Sequence, residues 1–189
     1  MSLRDFKSIK IDSRSGYSLT DLAMTIKLLG KKPAGRFSLM KELGLGEATV
    51  KTMMKKLEEE RMAKKSTIGL ALAKRGEKIF KLLERKMPDP IPVKLPEISK
   101  KTSVALVVRG ARKNIRKGIE QRDEGIKHGV DVTTLVFEDG KIRFPGARNV
   151  ATIKELDGAL EEGDVILVSS GKNLSEAKRG GFAVGLTMI

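Results

Sequence analysis

Glu47, Ala48, Lys51, Thr52 and Lys55 fall on one side of a helical repeat within the run Gly46 to Lys55, with Thr49 beside them in its first turn. Small and basic groups in that pattern suit the DNA major groove, where base edges and phosphates both present hydrogen-bonding partners. Lys64 and Lys65 form a second basic pair, of the kind that holds phosphate rather than reads bases. Catalytic chemistry has far less to draw on. The chain has no cysteine and a single histidine, His128. Disulfides, thiolate nucleophiles and thiolate zinc sites are therefore excluded, and no run of acidic residues has the spacing of a calcium loop. Glu120, Asp123 and Glu124 share one helix face and read as a solvated surface. No catalytic residue, metal site or cofactor is expected.

Two stretches in the second half offer a different chemistry, the binding of a small anion. Arg109 and Arg112 lie in a basic run, Arg109 to Lys117, directly after an apolar segment. Ser169, Ser170, Gly171 and Lys172 lie between an apolar segment and the last helical pattern. Backbone N–H groups, hydroxyls and a basic side chain at such a junction can cradle phosphate or carboxylate. The competing reading of the first stretch is a solvated basic face. The second lacks the Walker pattern and any dinucleotide fingerprint.

The elements that must position the first group follow from apolar spacing. Ser18-Leu19-Thr20-Asp21 is a capping signal, and Leu19, Leu22, Ala23, Ile26 and Leu29 give a first helix an inward stripe. A short second helix, Ser38 to Leu43, ends at Gly44, a residue suited to the left-handed turn past a helix end. The next helix starts within about three residues, the joint of a helix-turn-helix, and buries Leu45, Val50, Met53 or Met54, and Leu57. Met62-Ala63-Lys64 and Leu70-Ala71-Leu72 pair as a hairpin around Lys65 to Gly69, and Lys74 to Leu83 forms a closing helix. Residues before Gly16 read as a polar arm.

On Leu43-Gly44-Leu45, Thr49-Val50, Leu57-Glu58 and Met62, the first 86 or so residues resemble the winged helix-turn-helix of archaeal and bacterial transcription regulators, especially MarR-like and Lrp-like proteins. The chain departs from their pattern at Gly46, where Ser is usual, at Thr52, where Arg is frequent, and at Arg61, where Gly is common. The resemblance implies double-stranded DNA as a partner, a homodimer, and roles for Glu47, Ala48, Thr49, Lys51, Thr52, Lys55, Lys64 and Lys65 in holding the duplex.

Met87 to Pro96 carries four prolines at alternating spacing, which predicts an extended spacer. Beyond it the period changes. Strands are expected over 103–108, 132–137, 141–144 and 164–168, with Asp139-Gly140 turning one hairpin, and helices over 115–128, 153–160 and from Ser175 to about Met188. The expected fold class is α+β: a winged helix-turn-helix over 1–87, a Pro-rich linker over 88–97, and a two-layer α+β sandwich over 98–189 for effector binding or dimerisation. Together with Gln121-Arg122-Asp123-Glu124-Gly125 and Phe144-Pro145-Gly146, this layout resembles a little-described group of archaeal winged-helix proteins whose second domain has no assigned function.

Charge supports the division. Residues 1–88 hold 21 Lys and Arg against 10 Asp and Glu, a net +11, whereas residues 89–189 hold 17 against 14, a net +3. A concentrated positive field attracts phosphate backbones without specifying sequence. The opening residues lack the long apolar run of a signal peptide, and no stretch reaches membrane-spanning length, so a cytoplasmic protein without a membrane partner is expected. The reading is a DNA-binding transcriptional regulator. Two alternatives stay open: a winged helix fused to a metabolic enzyme domain, and an RNA-associated or protein-docking scaffold.

Overall fold

The computed structural model of the protein describes residues 2–148 and 150–189; Met1, at the head of the expected arm, and Asn149 lie outside the described residues. The chain divides into two compact units, Met1–Glu84 and Arg85–Ile189.

The first unit runs α1 (Leu3–Lys7), a 3-10 turn at Ser13–Ser15, α2 (Leu19–Lys31), α3 (Arg36–Leu43), α4 (Glu47–Glu59), the hairpin β1 (Ala63–Ser66) and β2 (Gly69–Leu72), and α5 (Lys74–Lys86). The capping box at the start of α2 is present in full: Asp21 N–H donates to Ser18 Oγ, and Ser18 N–H donates to Asp21 Oδ2 at 2.7 Å. Leu22, Ile26, Leu39, Met53, Leu57, Met62, Leu70, Ile79 and Leu83 are fully buried, each contributing on the order of 2 kcal/mol of apolar transfer. Between α2 and α3, Ala34 pairs with Leu70 as a third, one-residue strand beside the hairpin. Helix, strand residue, helix, helix, hairpin, helix is the winged helix-turn-helix order. The expected arm is more ordered than its polarity suggested. A second capping box, Ser2 with Asp5, starts α1, and Phe6 is fully buried.

In the second unit β3 (Ile91–Val93), β4 (Thr102–Val108), β5 (Asp131–Glu138), β6 (Lys141–Arg143), β7 (Val150–Ala151) and β8 (Val165–Gly171) form one antiparallel sheet in the order β3-β4-β8-β5-β6-β7. Helices α6 (Ile119–Lys127) and α7 (Leu174–Thr187) cover one face, α7 over β4 and β8, α6 over β5. The opposite face buries Ala105, Val107, Leu135, Ile142, Ile166 and Val168 against Val93, Leu95, Ile153 and Leu156. Burial on both sides explains why the central strands read as unbroken apolar runs rather than alternating ones. The fold class is α+β, a winged helix-turn-helix followed by a two-layer α+β sandwich.

Three expectations about this unit are corrected. Ile91–Val93, expected in a spacer, is an edge strand paired with β4 through Ile91↔Ala105 and Val93↔Ser103; an edge position tolerates Pro92, which has no N–H to give. The helix expected over 115–128 starts only at Ile119, because Gly118 adopts φ +79, a left-handed conformation that interrupts a helix. Its buried side is Gln121 and Gly125, while Ile119 and Ile126, whose spacing carries the helical period, are 50% and 62% exposed. The helix expected over 153–160 is a 3-10 turn, Lys154–Leu156. Ile153 and Leu156 still face the core, since i, i+3 spacing serves a 3-10 turn as well as a helix.

The sharpest steric constraint in the first unit lies at the start of α5. A Cβ on Gly76 would stand 2.1 Å from the Met62 carbonyl oxygen, a backbone atom. Gly76→Ala is expected to destabilise the protein by about 2–3 kcal/mol through overpacking, measured by urea denaturation of the full chain. An unchanged midpoint would show that α5 does not dock so closely.

Candidate nucleic-acid interface

The turn that sets α4 is three residues long. Gly44 takes φ +66 and its N–H closes α3 on the Met40 carbonyl at 2.9 Å. Gly46 caps α4 with backbone alone, without a side-chain bond, a weaker cap than Ser by a few tenths of a kcal/mol, roughly. Val50, Met53 and Leu57 anchor the buried side of α4, and Thr25 Oγ1 of α2 reaches Met53 Sδ at 3.4 Å beneath them. Glu47, Ala48, Lys51, Thr52 and Lys55 are consequently exposed together. At the far end of α4, Arg61 has φ +55, which costs a side-chain-bearing residue on the order of 1 kcal/mol. A glycine at this position would take the same conformation without that cost.

The exposed group is not uniform. Lys51 is engaged by no ion pair among the described residues, whereas Lys55 Nζ lies 3.7 Å from Glu59. Thr52 Oγ1 donates to the Ala48 carbonyl at 2.9 Å, back along its own helix. Glu47 is neutralised by Arg36, whose guanidinium lies 3.1 Å from its carboxylate and 5.8 Å from the Phe37 ring centroid. Thr49 departs from its expected place. It is half-buried, and a Cβ on Gly16 would stand 3.0 Å from its Oγ1. The arm, rather than solvent, covers that side of α4.

Sequence reasoning missed this arm contact and the role of Arg36. The Ser13–Ser15 turn rests beside α4 on an Asp12 cap, and it leaves the Arg14 side chain 90% exposed, with its guanidinium 3.3 Å from the Asp12 carboxylate. Tyr17 continues the contact: burial raises its phenol above the ordinary range, with Lys56 lowering and Glu59 raising it by smaller amounts. The only sequence signal was Asp12-x-Arg14 before Gly16, a turn pattern without a stated destination. On the hairpin that follows α4, Lys64 and Lys65 are exposed on β1. Arg14, Lys51, Lys64 and Lys65 thus place cations on the arm, the helix and the wing of one unit.

In the second unit the candidate anion-binding residues form two separate groups. The register pairs Val108 with Val165 at one end of β4 and β8, and Ser103 with Ser170 at the other, so Arg109 and Ser170 lie at opposite ends of these strands. Arg109 is paired with the Asp164 carboxylate, whose side chain is 2% exposed. That carboxylate also accepts from Gly110 N–H at 3.1 Å and Glu161 N–H at 2.9 Å. Arg112 donates to Glu138 at 2.6 Å and to the Ile115 carbonyl at 2.8 Å. Both arginines therefore have partners inside the fold. At the other end, Ser169 and Ser170 are buried within β8 rather than displayed on a junction, Ser170 sharing a hydroxyl bond with Ser103 at 2.8 Å. Lys172 N–H donates to Glu176, and Glu176 N–H donates to Asn173 Oδ1. The protein's own carboxylate and amide occupy the N–H groups expected to cradle an anion. Lys172 alone of that group stays exposed, beside the buried Gly171. A groove of about 760 Å³, lined by Lys94, Lys100 and Lys101 with Leu95, Pro96 and Glu155, is the basic concavity that sequence reasoning did not find. No group of three or more potential metal ligands occurs among the described residues, and none of their helices is long and apolar enough to cross a membrane.

Comparison with known proteins bears on the whole chain. Residues 98–188 match a family model described as a domain of unknown function (DUF4443). A solved structure, the hypothetical protein PH0730 from Pyrococcus horikoshii OT3, is similar at 26% identity, covering 91% of this chain and 92% of that chain with a TM-score of 0.73. No curated protein matches. The similarity thus extends over both units, and neither description names an activity.

If Arg109 serves the fold, its loss leaves a buried carboxylate uncompensated. Arg109→Ala is expected to lower stability by about 3 kcal/mol, read by urea denaturation of the full chain. A variant as stable as the wild type would return Arg109 to the pool of free anion-binding groups.

Proposed function

We propose that the protein binds double-stranded DNA through its first unit and acts as a transcriptional regulator, as a homodimer. The observation that carries this reading is the common exposure of Ala48, Lys51, Thr52 and Lys55 on α4, flanked by Arg14 on the arm and by Lys64 and Lys65 on the wing. A helix about 20 Å long, 13 residues at roughly 1.5 Å each, whose exposed side beyond Glu47 is small and basic, fits a major groove entered by its N-terminal half. Its neighbours meet the backbone on either side. Glu47, held by Arg36, is the one anion at the leading end, and a carboxylate there can accept from cytosine N4.

Dimerisation follows from geometry. One such helix offers few base contacts, and paired half-sites supply the usual specific affinity. An anionic effector belongs to the same proposal. In the second unit the Lys94, Lys100 and Lys101 groove has the charge for it, Lys101 being shared with Asp131 at 2.7 Å.

Two measurements test the reading. Fluorescence anisotropy on a labelled duplex across a salt series should give a log affinity falling with log salt by about 0.9 per phosphate neutralised. An affinity independent of salt would contradict the electrostatic half. In competition between a genomic duplex selected by the protein and a random one, Lys51→Ala with Thr52→Ala should narrow the preference. Lys64→Ala with Lys65→Ala should weaken both about equally. Identical behaviour of the two double variants would mean that α4 does not read bases.

A further inference from the structure

Most of the charged surface of the first unit is absorbed by the DNA reading, but two apolar side chains in its midst are not: Phe37 in the first turn of α3, 73% exposed and stacked near Arg36, and Ile68 on the wing. Ile68 is 66% exposed at the tip of the wing. A singly exposed isoleucine ordinarily requires no explanation. Its mounting sets this one apart. Ser66 pairs with Gly69, so Thr67 and Ile68 alone form the tip, and Ser66 Oγ donates to the Gly69 carbonyl at 3.0 Å. The next residue, Leu70, is buried and exchanges two main-chain bonds with Ala34, 2.9 Å and 3.0 Å long. Gly69 itself takes φ +134, and a Cβ there would stand 2.4 Å from the Ala34 carbonyl oxygen. The base of the tip is therefore locked to the α2–α3 connection on a backbone that only glycine permits. A β-branched side chain with a stiff χ1 projects from it with little freedom left to lose.

The surroundings of Ile68 indicate the partner. Lys64 and Lys65 are exposed on the same hairpin. The Ile68 carbonyl comes within 3.6 Å of the Cβ position of Gly35, the N-cap of α3, whose next residue, Arg36, is paired with Glu47. A rigid apolar tip with cations around it matches the wedges that enter the minor groove and part a base step. An uncharged protein surface would not call for the lysines.

We propose that Ile68 is a minor-groove wedge: on binding, it inserts at a pyrimidine–purine step, unstacks it and bends the duplex. The inference rests on the DNA reading and adds a source of specificity to it. Steps such as TA and CA open most easily, so the wing would select deformable sequence without bonding to any base.

The test uses the full chain at low salt and duplexes carrying 2-aminopurine within a TA step or, as control, within a GC-rich segment. Wild-type protein should raise 2-aminopurine fluorescence on the TA duplex alone. Ile68→Ala should bind with about tenfold lower affinity (about 1.4 kcal/mol) and leave the fluorescence flat. Ile68→Leu should recover much of both, and Lys64→Ala should lose affinity while keeping the fluorescence change. Tight, salt-dependent binding by the wild type with no fluorescence change, or an Ile68→Ala variant equal to the wild type, would overturn the wedge while leaving DNA binding intact. No binding to any duplex would overturn both.

Discussion

Two main-chain hydrogen bonds between Ala34 and Leu70 hold the first unit in the form that its surface requires. They join the α2–α3 connection to the root of the wing, making three strands out of a hairpin that alone would be marginal. Through them the cations of the wing are fixed to the same frame that carries α3 and, by the three-residue turn at Gly44, α4. The wing is thereby positioned by backbone as well as by the buried side chains of Ala63, Leu70 and Leu72. The exposed groups of the wing and α4 are thus carried on one frame, with little ordering entropy left to lose if they meet a partner.

The second unit is built on a different constraint, close approach of helix to sheet. Glycines bring this about: a Cβ at Gly125 would lie 2.6 Å from Val132, and one at Gly181 would lie 2.9 Å from Ser169 Cβ. Such packing leaves little room beneath α6 and α7 for a ligand. The concave surface of this unit lies instead toward the edge, where the connection between β3 and β4 surrounds the lysine-lined groove. The buried Asp164, gripped by Arg109 and two backbone N–H groups, closes the other end of the sheet. In the basic run that follows β4, Arg109 and Arg112 are internal ties, while Lys113, Arg116 and Lys117 stay exposed.

Much of the first unit was legible because its signals are local. The capping box at Ser18, the glycine after Leu43 and the 3.6-residue stripe on α4 each act within one or two turns. The exposed side of α4 followed from the buried one. What escaped was tertiary: the arm folded against Thr49, and Arg36 closing on Glu47, join residues more than ten positions apart. In the second unit bulky residues misled. Ile119 and Ile126 carried the helical period but point outward, because glycine, which has no apolar side chain to register, marks the buried side of α6. Pro-rich spacing at Pro88, Pro90 and Pro92 suggested a spacer, yet an edge strand accommodates one proline with no loss of pairing.

The exposed side of α4 and the wing are proposed together as the DNA-binding surface. Backbone amide NMR of the full chain, titrated with a short duplex at moderate salt, tests it residue by residue. The account predicts perturbations concentrated at Glu47, Ala48, Lys51, Thr52 and Lys55, at Lys64 to Ile68, and at Arg14, all decreasing together as salt is raised. Perturbations confined to the second unit, or spread evenly over all surface lysines with α4 silent, would contradict it.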